Sequence, residues 1–251
     1  MHAVVYKLII AALAGCVALS PGDSLARDGA PSTGSPARAG VVPLEDMLRR
    51  MHDYLTTNDL KFETQFSTKD SVLQTSSGGR AEFTIRQPNL FRIKINAGNK
   101  SDLFVSDGQS IWVQRGSKFA QFMAKDTVLG TMYAAAGMML MPSRILDAFW
   151  TVDYLEKVRE DVRMSAIPDA TIAGRLCRGI RVTRFEDEFD LWIDAAPPHR
   201  PCKLISQRSD GNSKAVSTHV FKWLDATGLA ADAFRFSPPK GASRTDHFDP
   251  R

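Results

Sequence analysis

The side chains of residues 27–251 that suggest metal binding, proton transfer or thiol chemistry are His52, His199, His219 and His247, Cys177 and Cys202, and the acidic group Glu186, Asp187, Glu188 and Asp190. The histidines are scattered, with none of the short spacings that place two imidazoles on one metal ion. His199 follows Pro198 and reads as a turn residue. The acidic group has the oxygen donors a hard cation takes, but it falls where a hairpin turn is expected and lacks the glycine and spacing of a calcium loop. The chain has no His-Glu-x-x-His, Gly-x-Ser-x-Gly, Gly-x-Gly-x-x-Gly, P-loop or Cys-x-x-Cys motif. The expectation is a non-enzyme, with no catalytic residue, no metal and no cofactor.

Another kind of chemistry is suggested near the N-terminus. Lys7, an apolar run over residues 8–19 and the small-residue triplet Ser24-Leu25-Ala26 read as an export signal over residues 1–26. Within it, Leu13-Ala14-Gly15-Cys16 resembles the lipobox of bacterial lipoproteins, in which the cysteine is acylated and becomes the mature N-terminus. Two processing routes stand open, lipidation at Cys16 or cleavage after Ala26, because apolar residues continue through Val17-Ala18-Leu19. An uncleaved anchor is disfavoured: a bilayer core takes about 20 apolar residues, and Gly15, Pro21 and Asp23 interrupt this run. The body of the protein is therefore expected outside the cytoplasm, lipid-anchored if Cys16 is acylated.

The remaining sequence suits one soluble body. Residues 1–26 carry one positive charge, Lys7, and one negative, Asp23, so the formal net charge of +4 is the same without them. That is too weak and too interleaved with acid for a nucleic-acid face, which gathers Lys and Arg on one side. The basic positions of residues 175–184 alternate with apolar ones, as on the solvated face of a strand. An apolar content of 43% is enough for one sizeable core.

Residues 27–42 are rich in Pro, Gly, Ser and Ala and read as a flexible linker. Ordered structure is expected over residues 43–245, with 246–251 a tail. Leu44, Met47, Leu48, Met51 and Leu55 recur at helical spacing, with Glu45 and Asp46 in the first turn. The period then changes to two: Phe62, Thr64 and Phe66; Ala81, Phe83 and Ile85; Phe91, Ile93 and Ile95. These are half-buried antiparallel strands. Gln87-Pro88-Asn89 supplies a turn and Asp107-Gly108 a tight hairpin. Residues 127–150 are almost uniformly apolar and uncharged until Arg144, so this helical stretch, divided at Pro142, must be buried or face something apolar. Further strands are expected over residues 179–185, 189–194, 203–208 and 217–224. Successive hairpins there place Cys177 and Cys202 on strands separated by a third, about 9–10 Å apart against a limit of roughly 7 Å between bridged α-carbons. A disulfide then needs a bulge or a different closure of the barrel.

Four segments together resemble the outer-membrane lipoprotein carrier (LolA/LolB-like) superfamily, and within it a family of predicted periplasmic proteins of unassigned function. They are Arg86-Gln87-Pro88-Asn89-Leu90-Phe91-Arg92, Phe104-Val105-Ser106-Asp107-Gly108-Gln109-Ser110-Ile111-Trp112, Leu191-Trp192-Ile193-Asp194 and Phe234-Arg235-Phe236-Ser237-Pro238-Pro239-Lys240-Gly241. The resemblance covers most of residues 43–245. It implies an α+β fold in which a curved antiparallel sheet, a half-open β-barrel, wraps around central helices, and acyl chains occupy the space between. The expected lining is Phe83, Ile85, Phe91, Ile93, Val105, Trp112, Leu191, Ile193, Met138 and Met141, the methionines adapting to ligands of varied shape. In such carriers a sheet arginine contacts the helix lid and gates it; Arg86 and Arg92 are the candidates. The expected partners are acyl chains of a lipid or lipoprotein and other envelope proteins, with no nucleic acid. A real lipobox shifts the reading towards a membrane-attached receptor or sensor. The competing function is an envelope interaction or stress-sensor module with a filled core and no lipid ligand.

Overall fold

The computed structural model describes residues 43–137, 162–184, 187–209, 214–246 and 248. The expected export signal with Cys16, the linker, Glu186 and both Met138 and Met141 lie outside them. Helix α1, Leu44–Thr57, forms where the apolar spacing predicts it, burying Met47, Leu48, Met51 and Leu55 with Glu45 and Asp46 in its first turn.

Six strands follow: β1 Leu60–Asp70, β2 Thr75–Arg86, β3 Leu90–Ala97, β4 Lys100–Asp107, β5 Ser110–Arg115 and β6 Lys118–Met123. Helix α2, Val128–Gly137, comes next. Beyond it lie β7 Val162–Ile172, β8 Arg175–Arg184, β9 Asp187–Asp194, β10 Pro201–Ser209, β11 Lys214–Trp223 and the short β12 Ser243–Arg244. Among the described residues these strands make one sheet in the order β12-β6-β5-β4-β3-β2-β1-β11-β10-β9-β8-β7. Neighbouring chain segments pair as antiparallel hairpins, while β1 with β11 joins the two halves. The sheet is open and curved, with β12 and β7 as unjoined edges.

One face of the sheet packs with both helices into a single core. It draws Ile111 and Val113 from β5, Phe62 from β1, Leu204 from β10 and Ile180 from β8 into one cluster with Met51 of α1 and Met132 of α2. Phe62 stacks on Phe83 with centroids 4.5 Å apart, an arrangement worth about 1 kcal/mol beyond its burial. Phe66 closes over Gly79, where an added Cβ would sit 2.8 Å from the ring and 2.0 Å from the Asn96 carbonyl oxygen. The opposite face carries ion pairs. Glu63 lies between Arg80 (2.5 Å) and Lys222 (3.6 Å), and the hydrogen bond from Arg80 holds its carboxyl below the ordinary range. Arg181 grips Asp190 at 2.7 Å and 2.9 Å, which raises its own pKa.

Two features mark the ends of this architecture, the first of them the bulge on which a disulfide was conditional. Cys177 and Cys202 are bridged, with α-carbons 6.6 Å apart. The register between β9 and β10 shifts between Pro201 and Lys203, so Cys202 is the extra residue of a bulge. That bulge sits where β9 ends, opposite Cys177 at Asp194, and it brings the start of β10 within bridging reach of β8. In the segment expected to be a tail, Phe248 packs against the core and lies under the Arg115 guanidinium, 5.1 Å from it.

Candidate ligand-binding site

The turn Gln87-Pro88-Asn89 fastens the two helices to the sheet. Gln87 Nε2 donates to the Leu55 carbonyl at 3.1 Å, tying the end of α1. The Pro88 carbonyl accepts from Val128 N at 2.6 Å, tying the start of α2. Asn89 Nδ2 donates to the Gly108 carbonyl at 2.9 Å, and Ser106 Oγ donates to the Asn89 carbonyl at 2.7 Å, so the β4–β5 hairpin is bound in as well. That hairpin turns at Gly108 with φ +91°, a conformation glycine tolerates, while Asp107 Oδ1 accepts from Gln109 N and Ser110 N. Burial opposes the charge of Asp107, yet these backbone donors hold its carboxyl below the ordinary value. At the first turn of α2, Thr127 Oγ1 accepts from Gly130 N at 3.0 Å, an N-cap.

Between α1, this turn and α2 lies a cavity of about 270 Å³. Leu55, Ile85, Pro88, Val128, Leu129 and Met132 give it apolar walls, and His52, Thr56, Gln87 and Thr127 contribute polar atoms at its rim. Helix α2 carries no charged residue in Val128–Gly137, and its polar side chains are Thr131 and Tyr133. Its start is held by hydrogen bonds, while Val128, Met132 and Ala135 are held by packing.

Of the expected lining residues, Phe83, Ile85, Phe91, Ile93, Leu191 and Ile193 lie together in the core under the helices. Only Ile85 among them reaches the cavity wall. Val105 and Trp112 do not share their face. Directly paired residues in a sheet point to the same side, and Arg92, Val105 and Trp112 are paired in a row, one step out of phase with Ile93, Phe104 and Val113. Trp112 stacks on Phe236 at 5.2 Å, beneath the C-terminal segment that crosses the outer face.

The arginines expected to gate a helix lid occupy that outer face too. Arg86 donates to the Leu229 carbonyl, pairs with Asp59 at 3.3 Å and lies 5.3 Å from the Phe234 ring centroid. It therefore clamps the C-terminal segment. Arg92 is opposite Thr84 and Val105, on the far side of the sheet from α2. Of the acidic group, Glu188 and Asp190 both pair with Arg181. No cluster of three or more His, Cys, Asp or Glu among the described residues is placed to hold a metal ion.

Sequence reasoning did not place His52, Thr56, Gln87 and Thr127 at one cavity, since they come together only when α1 and α2 meet the β2–β3 turn. It gave no role to His219, which is 5% exposed on the inner face, stacked against Phe66 at 5.9 Å. Burial lowers the pKa of this imidazole to about 4, so it is neutral at pH 7. The available signal was its place in Ser217-Thr218-His219-Val220-Phe221, in phase with Phe221.

Fold and site define an open, curved half-barrel whose apolar inner face packs with two helices, with a cavity of mainly apolar walls between the helices and the β2–β3 turn. The chain belongs to the family described as "Predicted periplasmic protein (DUF2092)", whose model matches residues 45–246, and it is periplasmic. Its relatives include the outer-membrane lipoprotein carrier protein of Haemophilus ducreyi, 25% identical over 216 residues, covering 86% of this chain and 90% of the relative. The protein of the same name from Actinobacillus pleuropneumoniae is 25% identical over 206 residues, covering 82% and 83%. Among solved structures, a LolA superfamily protein from Nitrosomonas europaea matches with TM-score 0.37 and 10% identity over 78% of this chain and 99% of that one. A chain of the MucA/MucB complex of Pseudomonas aeruginosa matches with TM-score 0.40 and 17% identity over 77% of this chain and 60% of that one. This chain thus spans about three fifths of the length of that structure's chain.

Proposed function

We propose that this protein holds the acyl chains of a lipid or lipoprotein between sheet and helices, as a carrier or chaperone, by binding alone and without covalent chemistry. The observation that carries this reading is the meeting of three apolar surfaces at one opening: the inner sheet face, the inner side of α1 and the uncharged, mainly apolar α2. The names of the curated relatives, lipoprotein carriers matched over most of their length, support the same reading. At about 270 Å³ the cavity lies just below the roughly 300–1,000 Å³ of small-ligand pockets. It serves as the mouth, and admission of a whole chain requires α2 to shift outward. Val128, Met132 and Ala135 contribute apolar packing to the core, so such a shift exchanges apolar contacts with the sheet for apolar contacts with the ligand.

Titration of detergent-free protein with a fluorescent fatty acid tests this. Saturable binding at about one probe per protein, displaced by phospholipid, is the expected result; linear, non-saturable uptake overturns the reading.

A further inference from the structure

The inner face is not uniformly apolar. Thr64 on β1, His219 on β11 and Ser206 on β10 are 0%, 5% and 2% exposed, and Thr64 Oγ1, His219 Nδ1 and Ser206 Oγ have no hydrogen-bond partner among the described residues. The register places all three on the face of the core. Thr64 lies between Ala81 and Phe221, His219 between Phe66 and Leu204, and Ser206 between Ser217 and Phe189. The strands are adjacent, β1-β11-β10, and each residue is the diagonal neighbour of the next. Diagonal neighbours stand about 7–8 Å apart, so the three make an oblique polar line across otherwise greasy surface. Ser217, beside this line, is satisfied by Thr68 Oγ1 at 2.9 Å.

Buried polar atoms are almost always paired, because an unmade bond forfeits hydration and gains nothing. Three in a row on the inner face of one sheet therefore point to partners supplied from outside the chain. Thr64 and Ser206 bring hydroxyls that donate, and a neutral imidazole nitrogen donates or accepts. The complementary groups in a greasy ligand are carbonyl oxygens. Resting on the acyl-binding reading above, we infer that Thr64, His219 and Ser206 form a polar track that hydrogen-bonds the ester or amide carbonyls of a multiply acylated ligand. The track sets the depth to which acyl groups enter and distinguishes acyl from plain alkyl chains.

The test compares a dioleoyl ester phosphatidylglycerol with its dialkyl ether analogue, which lacks the carbonyls, on the full chain by native mass spectrometry and by competition against a fluorescent fatty acid. The wild type is expected to prefer the ester by roughly two- to twelvefold for each bond made. Thr64→Val and Ser206→Ala, which nearly preserve shape, should lose that preference with ether binding unchanged, and their thermal unfolding confirms that they fold. Equal binding of ester and ether by the wild type overturns the track and leaves acyl binding standing, the polar atoms then being served by buried water. A preference that survives in both variants also overturns it. Binding of neither lipid overturns the acyl reading itself and the track with it.

Discussion

His219→Phe should flatten the acid side of the stability profile. In the folded protein burial holds the imidazole at about 4, against 6.5 in the unfolded chain. Between those values the unfolded state binds a proton that the folded state refuses, so stability rises with pH there, reaches its full value above about 6.5, and is lost as pH falls towards 4. The whole difference amounts to about 3 kcal/mol, of which about 2 kcal/mol is already lost at pH 5. Among the described residues the side chains beside His219 across the strands are Phe66 and Leu204, which carry no charge to offset the imidazolium. The assay is urea unfolding of wild type and variant at pH 7.0, 6.0 and 5.0. A constant offset from the bulk of phenylalanine does not matter, because the quantity compared is the change with pH. The wild type should lose about 2 kcal/mol more than the variant between pH 7 and pH 5. Identical pH dependence in the two proteins would mean that His219 is hydrated, and the buried polar line would go with it.

Other outcomes follow from the same geometry. Leu129→Trp fills the mouth beside Thr56 and Pro88 and should reduce fatty-acid binding at least tenfold while thermal stability is kept; unchanged affinity would show that ligand enters elsewhere. Trp112→Ala removes the stack on Phe236 and should leave lipid retention intact while exposing the C-terminal segment to protease, because Trp112 faces away from the helices. Reduction of the Cys177–Cys202 bridge, which spans 25 residues, should lower unfolding free energy by about 3 kcal/mol in chemical denaturation with and without reductant. Asp107→Ala removes two backbone hydrogen bonds from the β4–β5 hairpin and should cost about 1–3 kcal/mol by the same assay.

The strand alternation carried most of the fold. Phe62, Phe83, Phe91 and Ile93 were in phase in the sequence and are in phase in the core. Alternation failed at Val105 and Trp112 for a physical reason. The run Leu103-Phe104-Val105 is apolar at every position, because both faces of β4 are covered, the inner by the helices and the outer by the segment around Phe234 and Phe236. With no polar side the phase cannot be read. The disulfide was obscured by a bulge at Cys202, a one-residue irregularity that hydrophobic pattern does not record. The resemblance points to the arginine of Arg86-Gln87-Pro88-Asn89 as the helix contact, whereas the neighbouring Gln87 amide and Pro88 carbonyl are what bind the helices.

The central claim is that acyl chains occupy the space between sheet and helices. Its most direct test is mass spectrometry of the organic extract of protein purified from periplasm without detergent, alongside the intact mass of the N-terminus, which decides between lipidation at Cys16 and cleavage after Ala26. A stoichiometric acylated lipid in the extract is the predicted result. Folded, monodisperse protein that yields no lipid, and takes none up when it is supplied, would contradict the account and favour an interaction module with a filled core.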